Sequence, residues 1–101
     1  MIQQINNSQF RQMMTQSDSV ILDVRTAEEY KEGRIPRSIN LDVMSGAIDM
    51  ANHLDPNQTY LVYCRSGNRS MVAAYILESK GFSKVHNLKG GIIGWDGQVE
   101  S

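Results

Sequence analysis

The chain has 101 residues, enough for one domain built around one hydrophobic core. Ten Lys and Arg against eleven Asp and Glu leave a formal net charge of −1, so nothing in the overall charge favours nucleic acid or an anionic membrane. A single cysteine rules out an internal disulfide, and the apolar runs are far too short for a membrane-spanning helix.

The first ten residues, MIQQINNSQF, have neither the basic start nor the apolar stretch of a signal peptide, which predicts a soluble protein in the reducing cytoplasm. Asn7 or Ser8 is placed to cap a short helix with Phe10, Met13 and Met14 on one face. Ser17-Asp18-Ser19 breaks that helix. Val20-Ile21-Leu22-Asp23-Val24 is a nearly continuous apolar run, as in a strand covered on both faces. Thr26 followed by Glu29 matches a capping box, so a helix starts at Ala27. Gly33 ends it and Pro36 prevents its return. Ile39-Asn40-Leu41 reads as a short strand, residues 42–54 as a weak helix interrupted by Gly46, and Asp55-Pro56-Asn57 as a turn.

Tyr60 to Tyr63 then makes a strand that runs into Cys64. Ser70 to Lys80 carries the strongest helical pattern. Met71, Ala74, Tyr75 and Leu77, with Val72, Ala73 and Ile76, form its broad apolar face, and Gly81 is placed to terminate it. Val85 to Leu88 is a last strand, Gly90-Gly91 a turn, and Ile92 to Trp95 a short helix. From Asp96 onward the chain is polar and expected to fray. No repeat or linker interrupts the order, so strands alternating with helices predict a single α/β domain. Its sheet is mostly parallel, with helices on both faces. In such sheets the ligand crevice lies beyond the carboxyl ends of the strands, where Cys64 falls.

A free cysteine usually packs as a small apolar side chain. Here the next five residues, Arg65-Ser66-Gly67-Asn68-Arg69, are polar or glycine, which marks a strand end and not a core. A thiol of ordinary pKa, about 8.5, is mostly protonated at neutral pH. The N-terminus of the following helix, the charges of Arg65 and Arg69, and a short loop able to aim several backbone N–H groups at one point all favour the thiolate. Gly67 relieves the backbone strain of such a curl.

These residues resemble the active-site loop of a single-domain rhodanese, a sulfurtransferase. The likeness extends to Asp23-Val24-Arg25, Glu28-Glu29-Tyr30, Gly33, Ile35-Pro36 and Ile39-Asn40 upstream. Downstream it takes in Gly81-Phe82, Val85, Asn87-Leu88, Gly90-Gly91-Ile92 and Trp95, so that it covers residues 3–96 in order. The resemblance implies a five-stranded, mostly parallel sheet flanked by helices. It also implies a ping-pong reaction in which Cys64 takes the sulfane sulfur of a donor such as thiosulfate, becomes a persulfide, and passes the sulfur to a thiophilic acceptor. Cyanide serves as acceptor in assays; thiols and protein cysteines are the expected natural ones. Arg65 and Arg69 would attract and orient the anionic donor, and the amides of Arg65, Ser66, Gly67, Asn68 and Arg69 would stabilise thiolate and persulfide. Ser66 or Ser70 would add a hydrogen bond. No cofactor and no oligomer is implied.

Two rival readings differ in class. Cysteine phosphatases also place a thiolate under a helix with a loop-ending arginine, but their loop has five residues between the two and this one has four. A phosphoryl group needs the wider cradle and a lone sulfur fits the narrower. A non-catalytic rhodanese-like interaction module typically lacks the cysteine that this chain keeps.

Asp23 and Arg25 are expected to hold the site rigid, with Arg25 placed to pair with Glu28 or Glu29. Arg34 and Arg37 depart from the family pattern of histidine and glycine. Arg37 is strained if its position needs positive φ; otherwise the two are solvated charges or widen the positive field at the mouth. His53 and His86 lack metal-ligand spacing, so no metal is expected. Trp95 reads as core or as a neighbour of the site.

Overall fold

The computed structural model describes residues 2–46 and 52–101. Its elements are β1 (Gln3–Ile5), α1 (Asn7–Met14), β2 (Ser19–Asp23), α2 (Ala27–Glu32), β3 (Ser38–Asn40), β4 (Thr59–Tyr63), α3 (Asn68–Ser79) and β5 (Val85–Leu88). Turns of 3-10 helix follow β3 at Val43–Ser45 and β5 at Ile92–Gly94. Among the described residues the five strands form one sheet in the order β1-β5-β4-β2-β3, and every pairing is parallel.

β4 sits in the middle because its side chains suit burial on both faces: Thr59 to Tyr63 are all buried. Period-two alternation sends Tyr60 and Val62 to one side, where they join Leu22, Val24, Ala73, Ala74, Leu77 and Phe82 under α3. Leu61 and Tyr63 go to the other side, with Ile5, Phe10, Ile21, Ile35 and Leu88, beneath α1. Each fully buried Leu, Ile, Val or Phe contributes roughly 1.5–3 kcal/mol. The two half-cores therefore hold helices on both faces of the sheet.

Connections after β2 lead outward to β3, whereas those after β4 lead the opposite way to β5. The carboxyl ends of β2 and β4 thus part at a topological switch point, where a crevice opens in such folds. The segments leaving that point are Val24 to Thr26 and Cys64 to Gly67.

Several local expectations shift. Asn6, not Asn7 or Ser8, caps α1; its side chain accepts from the Gln9 N–H at 2.8 Å while Gln9 accepts from the Asn6 N–H at 2.9 Å. β1 was not evident in the sequence because only Ile5 of its three residues is buried. The Thr26–Glu29 capping box of α2 is present as spelled. α3 begins at Asn68, two residues before the apolar pattern, and buries Ser70, Ala73, Ala74 and Leu77. That stripe follows the i, i+3, i+4, i+7 period, which leaves Val72 and Tyr75 off it and exposed. Of the weak helix expected over residues 42–54, Val43–Ser45 forms a 3-10 turn, and residues 47–51 lie outside the described residues.

Against the expectation of a frayed tail, Glu100 exchanges two backbone hydrogen bonds of 2.8 Å with Arg34. Arg34 also lies over the Tyr30 ring at 4.7 Å. Arg37 has φ 69°, the left-handed conformation that favours glycine, and its guanidinium donates to the Met14 carbonyl of α1. Both arginines are thus engaged in holding the chain, not in charging the site. Trp95 packs edge-on against Phe10 with ring centres 5.3 Å apart.

Candidate active site

Cys64 leaves the end of β4 on the α3 side of the sheet and is fully buried. Burial alone would make this an inert packing thiol. The loop changes that. The Gly67 N–H donates to the Cys64 sulfur at 3.0 Å, and the Ser70 hydroxyl donates to it at 3.4 Å. Burial pushes the thiol pKa up, but the Ser70 hydroxyl and the N–H groups of Ser70, Gly67 and Ser66 outweigh it, and the pKa falls below its ordinary value. The sulfur is buried, yet it faces convergent donors at the start of a helix.

Gly67 makes this possible. It stands just before α3 with φ 106°, and a Cβ there would come within 2.5 Å of the Lys89 carbonyl oxygen. The end of β5 and the turn after it close around the loop from behind. Ile92 and Ile93 donate backbone hydrogen bonds to the carbonyls of Cys64 and Arg65 at 2.9 and 3.0 Å. Gly91 lies so close to Arg65 that a Cβ would overlap its carbonyl group. Asn87, 1% exposed on β5, donates its side-chain amide to the Gly67 carbonyl at 3.4 Å and to Gln4 at 2.8 Å.

The arginines are placed differently from one another. Arg65 is exposed, and Ser66 and Asn68 are exposed beside it. Arg69 turns toward α2 and grips Glu29 with both ends of its fork, at 2.7 and 2.9 Å. That hydrogen-bonded pair raises the Arg69 pKa and holds Glu29 down to about 2. The thiol is therefore favoured as thiolate chiefly by hydrogen bonds, with Arg69 already carrying a counterion. Glu29 was legible as the helix cap of Thr26 and as a candidate partner of Arg25, not as the partner of Arg69; a capping glutamate has a second oxygen free to reach across the site.

Asp23 and Arg25 brace the other side of the crevice. Asp23 is fully buried and accepts from the Arg25 backbone N–H at 2.9 Å and from its Nη2 at 2.7 Å. Arg25 also donates to the Gly33 carbonyl at 2.6 Å, so β2 is tied to the end of α2. The expected partner, Glu28 or Glu29, is replaced by Asp23, which is two residues away on the same strand end. A buried pair of this kind costs about 3–5 kcal/mol to break by removing one member.

The rhodanese-like domain family matches residues 6–98. The chain belongs to the rhodanese-like domain family. A protein of Allochromatium vinosum named as a sulfurtransferase is 34% identical over 96 residues, a match covering 94% of this rhodanese-like domain and 89% of that protein. A longer relative in Bacillus subtilis is 36% identical over 101 residues, and the match takes in 98% of this chain but only 54% of that protein. Among solved structures, a rhodanese-related protein of Thermoplasma volcanium superposes with TM-score 0.84 at 30% identity, with 97% of each chain covered. The rhodanese-like fold, a five-stranded parallel sheet between helices, is therefore shared as well as the sequence. Among the described residues no helix is long and apolar enough to cross a membrane.

Proposed function

We propose that this rhodanese-like domain is a sulfurtransferase that carries sulfane sulfur on Cys64. The observation that supports this best is the pair of donors, the Gly67 N–H and the Ser70 hydroxyl, aimed at a thiol whose pKa they lower. The relatives' names support the same chemistry, and the chain keeps the cysteine that an interaction module would not need.

In the first half-reaction the Cys64 thiolate attacks the outer sulfur of the donor. With thiosulfate, the bond between the two sulfurs breaks, its electron pair leaves with sulfite, and Cys64 becomes a persulfide anion. In the second, the thiolate of an acceptor attacks the terminal sulfur, takes it as a new persulfide, and restores the Cys64 thiolate. Cyanide accepts the sulfur in the same way and leaves as thiocyanate. Charge is conserved in each step, and every species on Cys64 is an anion. The amides of Ser66, Gly67 and Ser70 are aimed at the Cys64 sulfur in advance, which is how preorganised donors contribute to catalysis. The exposed Arg65 lines the cleft beside the loop, and Arg25, braced by Asp23, lines it as well. No second cysteine is available to discharge the persulfide from within, so it waits for an external thiol or protein cysteine.

Intact-mass measurement after incubation with a sulfane donor tests the reading. One added sulfur atom is expected, removable by cyanide or a thiol and absent in Cys64→Ser. Failure to acquire sulfur from thiosulfate, a thiosulfonate and an alkyl persulfide alike would overturn it. The four-residue spacing before Arg69 weighs against phosphate-ester hydrolysis; turnover of an aryl phosphate lost in Cys64→Ser would reverse that judgement.

A further inference from the structure

Arg69 is, with Arg65, one of the two guanidinium groups expected to orient the anionic donor, yet in the folded chain its fork is already filled. Both of its terminal nitrogens donate to Glu29, and each partner is only about one-quarter exposed, at 27% and 25%. Asp42, at the 3-10 turn after β3, adds a further negative charge that acts on Arg69. Arg25 is matched by Asp23. The cleft of about 300 Å³ beside the loop continues this balance, lined by Arg25 and Arg65 on one hand and Glu29 and Glu32 on the other. Three guanidinium groups thus meet at least as many carboxylates, and Arg65 alone among the three has no ion-pair partner among the described residues.

We infer that Glu29 selects the donor: by neutralising Arg69 it makes the site favour singly charged sulfane donors, persulfides and thiosulfonates, over the thiosulfate dianion. The inference rests on the sulfur-transfer reading and names its substrate class. A donor approaching the buried thiolate already meets one like charge. The unpaired Arg65 can offset one charge on a donor; a second needs another cation, and Arg69 can give its fork to the donor only by leaving Glu29. A singly charged donor needs no such exchange. The Glu29 carboxylate accepts from Arg69 and makes no hydrogen bond to the Cys64 sulfur, so its role is exerted through Arg69.

The balance of each transfer is the same. Cys64 thiolate and methanethiosulfonate give Cys64 persulfide and methanesulfinate; Cys64 thiolate and thiosulfate give Cys64 persulfide and sulfite. The two donors share the sulfonyl-bonded outer sulfur and differ by one charge.

Glu29→Gln is the test, because glutamine still serves the capping box with Thr26 while losing the charge. The kcat/KM for thiosulfate is expected to rise about 10-fold and that for methanethiosulfonate by less than about 3-fold. The ratio carries the result, since the intrinsic reactivity of each donor cancels between the two proteins. An equal change for both donors, or none, overturns the inference and leaves sulfur transfer standing. Loading from neither donor in the unaltered chain overturns both. An independent reading uses the unaltered chain, whatever the fate of the variant. With Arg25 and Arg69 paired and the lone Arg65 set against the Cys64 thiolate, thiosulfate kcat/KM should change less than about 2-fold between low and physiological salt. A steep fall would show an uncompensated positive site and overturn the inference.

Discussion

The buried amide of Asn87 reaches the Gly67 carbonyl from β5, and the N–H of the same glycine points at the Cys64 sulfur. One peptide neighbourhood is thereby fixed from behind by a strand and used in front by the thiol. Asn87→Ala should remove that fixing. Loss of a buried hydrogen-bonding group costs about 1–2 kcal/mol of stability. The diagnostic readout is the thiol: the pH midpoint for alkylation of Cys64 should move up, because the Gly67 N–H is no longer held in line. A stability loss with an unmoved midpoint would make Asn87 a core residue and nothing more.

Ser70→Ala tests the largest of the hydrogen bonds that lower the Cys64 pKa. The Gly67 carbonyl lies 3.1 Å from the same hydroxyl, so the sulfur and the carbonyl share its single proton. The alkylation midpoint should rise in the variant. The sign of the linked stability follows from the direction of the shift. A depressed thiol pKa contributes stability that is present above the unfolded pKa, near ~8.5, and is lost as pH falls through the folded value. The stability gap between the unaltered chain and Ser70→Ala should therefore widen as pH is raised toward 9, as urea unfolding across that range would reveal. A gap that narrows with rising pH would mean the thiol is not stabilised as its anion.

Gly91→Ala addresses the turn that backs the loop. Gly91 has φ 65°, and its added methyl would meet the Arg65 carbonyl carbon and oxygen, which are backbone and cannot swing aside. Overpacking against backbone in a left-handed position should cost about 2–4 kcal/mol. The same change at Gly46 adds a Cβ with nothing within 4 Å among the described residues at φ 85°, so the conformational cost of about 1 kcal/mol is what remains. Denaturant unfolding of the two variants separates the terms. Equal losses would show that the close approach to Arg65 has no energetic weight.

Much of this was legible because the signals were local. Val20 to Val24 reads as a doubly covered strand from its apolar continuity, Tyr60 to Tyr63 reads as a strand running into Cys64, and the five polar or glycine residues after Cys64 mark the place where the chain leaves the sheet. The less legible features depend on residues far apart in sequence. Glu29 and Arg69 are separated by 40 positions, so the pairing of a helix cap with the loop arginine leaves no pattern in either segment. Asn87 looks like an ordinary polar residue of a short strand until β5 is laid beside β4 under the loop. Arg25 chooses Asp23 over Glu28 or Glu29 because Asp23 is buried and needs a partner, and burial is a tertiary property. Val72 and Tyr75 illustrate the converse: α3 has apolar residues around more of its circumference than the sheet can cover, and the pattern alone does not say which stripe faces inward.

The ion pair between Glu29 and Arg69 also has a signature in acid. Glu29 is held at about 2, down from an ordinary 4.5, chiefly by the Arg69 hydrogen bonds and with help from Thr26. A lowered carboxyl pKa contributes stability that is complete above the unfolded value and is lost as pH falls through the folded one. The window is therefore about pH 4.5 down to 2. Because both side chains are partly exposed, solvent screening reduces the contribution to about 1 kcal/mol. Glu29→Gln cannot titrate, so its stability deficit should be constant above pH 5, shrink below it, and vanish near pH 2. Every other acid titrates in both proteins and cancels in the difference. Thermal unfolding from pH 2 to 6 measures that difference directly, and high salt should reduce it at the upper end. A deficit that persisted unchanged at pH 2 would mean that glutamine fails for reasons of shape. In that case the carboxylate charge, on which donor selection also depends, would not be what holds Arg69 in place.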